Sequence, residues 1–171
     1  MKPLTIFSKN SQVSMNNQKE EESILKVFAT SVIRYFETTT GTPATLKTSY
    51  LGSAEDQLAL EFSAVIGISG NYRGNVYFTA SRAKLKEILV SIGEKDIDDN
   101  LCGELVGEIA NTFAGNAKES LGSGFMISTP FLLHGANESV RPPHGVPCFV
   151  LPIEWNSYSS LLLISLEKTD E

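Results

Sequence analysis

Twice along this chain, a stretch with apolar residues at steps of three and four is followed by three β-rich runs. That order limits the fold more tightly than any single motif. The first stretch, EEESILKVFATSVIRYFETTTG over 20–41, sets Ile24, Val27, Phe28, Ser31, Val32 and Tyr35 on one side, opens on acids and stops at Gly41. These are the marks of an amphipathic helix. ATLKTSYLG (44–52), QLALEFSAVIGISG (57–70) and RGNVYFTA (73–80) follow as strands, the last two forming a hairpin through the turn SGNYRG. SRAKLKEILVSIG (81–93) predicts a short helix capped by Ser81, with Leu85, Ile88, Leu89 and Ile92 inward and Gly93 ending it. After the charged link EKDIDDN, the segment GELVGEIANTFAGNAKESLG (103–122) reads as a long helix. GFMISTPFLLHG (124–135), VPCFVLPIEW (146–155) and SSLLLISLEK (159–168) read as three more strands.

The expected architecture is therefore a two-layer α/β (α+β) fold of duplicated α-β-β-β units, with helices packed on the sheet and the short helix as the joint. A chain of 171 residues with 42% hydrophobic content fills one core, so residues 20–171 are expected to form a single domain. Residues 1–19 are polar and read as an N-terminal extension, in which LTIF (4–7) is the one candidate edge strand.

Composition excludes several classes of function. The net charge is -6 and the 14 basic residues are scattered, which leaves no basic patch for a phosphate backbone. Nucleic acid is not an expected partner. No run approaches the ~20 apolar residues of a membrane span, and the first residues lack the apolar core of a signal peptide. A cytoplasmic location is expected. The two cysteines, Cys102 and Cys148, are too few for a disulfide framework and fit a reducing compartment.

The long helix carries the most information about function. At roughly 100° per residue, Leu101, Leu105, Val106, Ile109, Ala110, Phe113, Ala117 and Leu121 share one broad apolar side. Glu104, Glu108, Asn111, Gly115 and Lys118 form a ridge on the other, with Glu108 and Asn111 one turn apart. A solvated polar face is the default for such a ridge. Gly115 departs from that default, because a helical glycine costs about 1 kcal/mol relative to alanine and solubility does not require it. It suits the close approach of another molecule to an acid and a carboxamide.

Other candidate sites are weaker. Cys102, His134, His144 and Cys148 lack the paired Cys-x-x-Cys or helical His-Glu-x-x-His spacing of a zinc site, so no metal of its own is expected. His134 and His144 flank the loop-forming stretch HGANESVRPPHGVP. GISGNYRG lies between strands rather than ahead of a helix, which argues for a turn and against a phosphate cradle. LGSGF lacks the Gly-x-Ser-x-Gly frame of an activated serine. Trp155 and Tyr158 border the last hairpin, where packing is favoured over a dimer contact.

GEIANTFAGNAKESL, preceded by VIGISGNYRGNVYFTA, resembles the CheX branch of the CheC/CheX/FliY family of bacterial chemotaxis phosphatases. The family signature is a helical Glu-x-x-Asn with a Gly-x-Ala-like tail; here it falls on Glu108 and Asn111, with Gly115 and Ala117 behind. The likeness spans about residues 21–167. It implies the CheC-like fold and, because Glu20, Glu21 and Glu22 are followed three residues on by Ser23, Ile24 and Leu25, one site per chain rather than two. It implies a homodimer joined through its sheets.

The resemblance further implies a substrate: the aspartyl phosphate of a CheY-like response regulator, beside a Mg2+ ion and a lysine that belong to the regulator. The enzyme then has to position water for in-line attack. Asn111 offers a donor and an acceptor without adding negative charge, and so suits holding that water. Glu108 suits pairing with the regulator's lysine. Glu104, Gly115 and Lys118 extend the contact surface. The alternative is a non-catalytic module of the same fold that binds a regulator or serves as a dimeric scaffold.

Overall fold

The computed structural model describes residues 6–135, 140 and 144–169, with side chains from residue 15 onward. Its elements are α1 (Ile6–Thr40), β1 (Thr45–Leu46), β2 (Tyr50–Leu51), β3 (Phe62–Gly70), β4 (Tyr72–Ala80), α2 (Arg82–Ser91), α3 (Asp99–Leu121), β5 (Phe125–Ile127), β6 (Phe131–His134), β7 (Phe149–Trp155) and β8 (Tyr158–Lys168). The strands form one antiparallel sheet in the order β1-β7-β8-β4-β3-β5, with β2 also on β7 and β6 also on β3.

This order shows the duplication. Each half contributes a first strand broken into two pieces, then two long strands. The long strands meet at the centre, where β4 pairs with β8 from Tyr72↔Lys168 to Ala80↔Ser160. The broken first strand of each half crosses to the middle strand of the other: β1 and β2 edge β7, while β5 and β6 edge β3.

The helices lie on one face of the sheet and the core fills the space between. Tyr35 and Phe78 meet the Phe113 ring edge-on, with centroids 5.7 and 5.4 Å away. Phe36 lies against Trp155 at 5.7 Å, and the indole Nε1 donates to the Thr42 carbonyl at 3.1 Å. Trp155 is thus a core residue with its one polar atom paired, as buried indoles require. Alternation sends the other face of the strands to a smaller cluster of Val140, Cys148, Val150 and Leu163. The β7–β8 turn is two residues long, Asn156 and Ser157, both with positive φ, the geometry that matches strand twist in tight hairpins.

Several local expectations are corrected. The first helix begins at Ile6, so it runs through most of the segment read as an extension. Of the candidate edge strand LTIF, Leu4 and Thr5 lie outside the described residues, and Ile6 and Phe7 are helical. The run from Gln57 to Glu61 precedes β3 rather than belonging to it. The run read as one strand over 124–135 is broken into β5 and β6, which His134 closes, and much of the loop stretch after it (136–139 and 141–143) lies outside the described residues.

In α2, Ser81 caps as expected by accepting from the Lys84 amide, but Ile92 is the C-cap and 41% exposed. Its expected inward place is taken by Lys84, one helical turn ahead of Ile88 and wholly buried. The Lys84 ammonium donates to Ser160 Oγ (2.7 Å) and to the Ile153 and Tyr158 carbonyls (3.3 and 3.4 Å), and it lies 5.1 Å from the centre of the Phe36 ring. Three acceptors for three N–H donors make this burial tolerable.

Candidate functional site

Helix α3 carries the candidate site, and its ends are well made. Asp98 accepts from the Leu101 amide at 2.8 Å as N-cap, and Asp99 holds Arg82 of α2 through two contacts of 2.9 and 3.0 Å. Both carboxylates also sit favourably at the positive end of the helix. Gly122, with φ of 92°, ends it. The apolar side expected from periodicity is the buried one: Leu105, Val106, Ile109, Ala110, Phe113 and Ala117 are all buried, while Leu101 and Leu121 are half-buried at its two ends.

Two flanks hold α3 in place. On one, Asn116 Nδ2 donates to Ser31 Oγ of α1 at 3.0 Å, and that hydroxyl reaches the Phe113 carbonyl at 3.4 Å. On the other, glycines let β6 come close. A Cβ on Gly103 would stand 2.9 Å from His134 Cε1, and one on Gly107 would stand 2.9 Å from Leu132 Cδ2. These two helical glycines are explained by packing.

The crest between the flanks is the ridge seen in the sequence. Glu104, Glu108, Asn111 and Lys118 are exposed and Gly115 is half-buried. Glu104, Glu108 and Asn111 line a groove of about 460 Å³, with Gly107 in its floor and Thr129, Pro130 and Leu132 as its far wall. Gly115 and Lys118 lie beyond it on the same crest. A Cβ at Gly115 would meet nothing within 4 Å, so no internal contact accounts for that glycine. Lys118 stands in the last turn, where a cation also favours the helix dipole.

Two features of the site were not foreseen. The far wall comes from the break between β5 and β6, whose position depends on strand pairing. Tyr35, expected as core, is also a neighbour of Glu108: burial, with the Glu108 charge adding to it, pushes the phenol well above its usual range and keeps it protonated. The equivalent positions of α1, counted back from the helix ends, are Val27 and Thr30, which offer neither acid nor carboxamide.

The remaining candidates are dispersed. Cys102 belongs to the core under the helices and Cys148 to the cluster on the opposite face. Among the described residues, no group of three or more His, Cys, Asp and Glu side chains is placed to hold a metal ion. A second hollow lies between α1 and β8, but Glu20 there is already engaged by the Tyr72 hydroxyl and by Lys168, both at 3.0 Å.

Residues 62–154, more than half of the chain, match the family model for the chemotaxis phosphatase CheX. The chain belongs to the CheX family. This match runs from the start of β3 to the next-to-last residue of β7 and so includes the whole of α3 and the groove. No curated protein matches the chain. Among solved structures, the chain resembles a putative chemotaxis protein from Desulfovibrio vulgaris Hildenborough (TM-score 0.75, 23% identity, 85% of this chain and 97% of that one). It resembles the chemotaxis protein CheX of Vibrio vulnificus to the same degree (TM-score 0.75, 20% identity, 85% and 99%). A third likeness is to the CheX of a CheX–CheY–BeF3–Mg2+ complex from Borrelia burgdorferi (TM-score 0.66, 16% identity, 84% and 97%). At these identities the structures establish that the CheX fold is shared, and the CheX family model carries the membership. No helix among the described residues is long and apolar enough to cross a membrane.

Proposed function

We propose that this CheX-family phosphatase hydrolyses the aspartyl phosphate of a CheY-like response regulator, with Asn111 orienting the attacking water and Glu108 docking the regulator. The observation that carries this reading is the placement of the two side chains. Both are exposed on the crest of α3, one turn apart, at the rim of an open groove, rather than sealed in the protein's own packing. A response regulator brings its own electrophile and charge stabilisation, so the missing contribution is a positioned water. A carboxamide can accept from that water and donate to a phosphoryl oxygen. A carboxylate one turn away can take a lysine of the regulator in a charge-assisted hydrogen bond.

The Borrelia relative was solved with CheY, BeF3 and Mg2+ together, BeF3 standing in chemically for the phosphoryl group. That supports placing the metal on the regulator's side of the contact. The protein is proposed to act in the cytoplasm as a homodimer. Both sheet edges carry exposed apolar side chains that such a dimer could cover, Tyr50 and Leu51 on β2 and Phe131 on β6. Light scattering on the purified protein decides that point.

The deciding experiment follows decay of a phosphorylated CheY-like regulator with wild type and Asn111→Ala. Loss of turnover with binding retained is expected. Equal acceleration by both proteins would remove Asn111 from the chemistry, and no acceleration by either over the regulator's own decay would leave a regulator-binding module.

A further inference from the structure

The groove has two walls, and only the helical one carries the residues assigned above. The far wall is the corner Thr129–Pro130 with Leu132, and its construction points to a second task. Ser128 Oγ accepts from the Gly67 amide at 2.8 Å and donates to the Thr129 carbonyl at 2.9 Å, while the Ser128 amide donates to the Gly67 carbonyl at 2.9 Å. These bonds tie the corner to β3. Pro130 fixes one backbone torsion there. Leu132 packs over Gly107, one turn before Asn111, where a Cβ would come within 2.9 Å of its Cδ2. The wall is therefore stiff and set in register with Asn111.

Its chemistry differs from that of the helix. Glu104 and Glu108 make the near wall acidic, among the described residues no basic side chain lines the groove, and the far wall offers the Pro130 ring and Leu132, which is 36% exposed. An exposed leucine held rigidly beside a polar working pair is suited to a partner's apolar side chain, because a pre-organised surface loses little entropy on binding. We infer that Pro130 and Leu132 receive an apolar side chain of the phosphorylated regulator that lies beside its phosphorylated aspartate, and so select the regulator and set its register on Asn111.

This inference rests on the phosphatase reading, and its occupant is argued from two observations. The wall is continuous with the Glu108–Asn111 contact across one groove. The acidic near wall favours a basic group next to the apolar one, the pattern expected around an aspartyl phosphate whose lysine Glu108 engages. The role is one of positioning and specificity, since neither residue has a group for the chemistry.

The test uses a CheY-like regulator phosphorylated with acetyl phosphate, and separates KM from kcat. Leu132→Asp is expected to raise KM on the order of tenfold, as removal of one buried apolar contact predicts, with kcat nearly unchanged. Leu132→Met should restore the wild-type KM. Thr129→Arg, at an exposed corner position, should raise KM in the same way and covers the case in which Leu132→Asp fails to fold. Val90→Asp, at an exposed position of α2 outside the groove, should leave both constants alone. Wild-type KM in folded Leu132→Asp and Thr129→Arg, alongside an inactive Asn111→Ala, overturns the inference and leaves the phosphatase reading standing. An active Asn111→Ala overturns both.

Discussion

The Lys84 ammonium donates to Ser160 Oγ at 2.7 Å from a fully buried position, joining α2 to the last hairpin. Burial pushes this amine down to about 7, with Glu154 acting weakly the other way. The folded pKa is thus below the unfolded one, so between the two values the unfolded chain binds more protons and stability rises with pH. Lys84 should destabilise the fold fully below pH 7 and progressively less up to about pH 10. Thermal melts of wild type and Lys84→Met across that window check it: wild type should gain on the variant by a few kcal/mol, roughly the size such a shift implies. A constant difference would show that the amine stays charged in its three-acceptor cage.

Asn111→Asp is a sharper probe than truncation, because it keeps the shape of the side chain. It removes the donor and places a negative charge next to a phosphoryl group. Turnover of phospho-regulator should fall by on the order of 10²–10³, the usual cost of losing one well-placed transition-state contact. The melting temperature should not move, since Asn111 is exposed and makes no internal hydrogen bond among those described. Single-turnover decay together with calorimetry measures both.

Glu108→Gln retains shape and loses charge. If the carboxylate docks a lysine, KM should rise several-fold and its dependence on ionic strength should weaken, because screening acts on the charge that has been removed. KM measured across a salt series in wild type and variant is the check. Identical salt slopes would remove Glu108 from the docking contact.

Gly115→Ala separates partner contact from packing. Open space surrounds the position, so the helix should gain about 1 kcal/mol. If a regulator approaches the crest there, the added methyl group should raise KM at the same time. Denaturant unfolding and turnover on one preparation test both halves; a more stable protein with unchanged KM leaves Gly115 outside the interface.

Helix α3 was legible because a 3.6-residue period separates its faces before any tertiary contact exists. Glu108 and Asn111 could be placed on one exposed ridge from spacing alone, and the duplicated order of elements followed from alternation of helix and strand patterns. What could not be read depends on pairing across the chain. The breaks at Lys47–Ser49 and Ser128–Pro130 appear only when each first strand crosses to the other half. The far wall of the groove is one of those breaks. Residues 6–19 lack the apolar spacing that announces a helix, yet they continue α1. Lys84 reads as a surface lysine until the β7–β8 hairpin supplies its acceptors, and the value of Gly107 emerges only when Leu132 arrives beside it.

The crossing of first strands has a further result for how the molecule comes into being. Until β5 and β6 are made, β3 has an open edge; until β8 is made, β4 has one too. A nascent chain that ends at the α2–α3 link therefore exposes two sticky borders and cannot settle by itself. Synthesis of the amino-terminal half should yield aggregate, whereas co-expression with the carboxy-terminal half should rescue it into a soluble pair. Helix α3, made in the middle of translation, packs on α1, β3 and β4, which precede it, and on β5 and β6, which follow it.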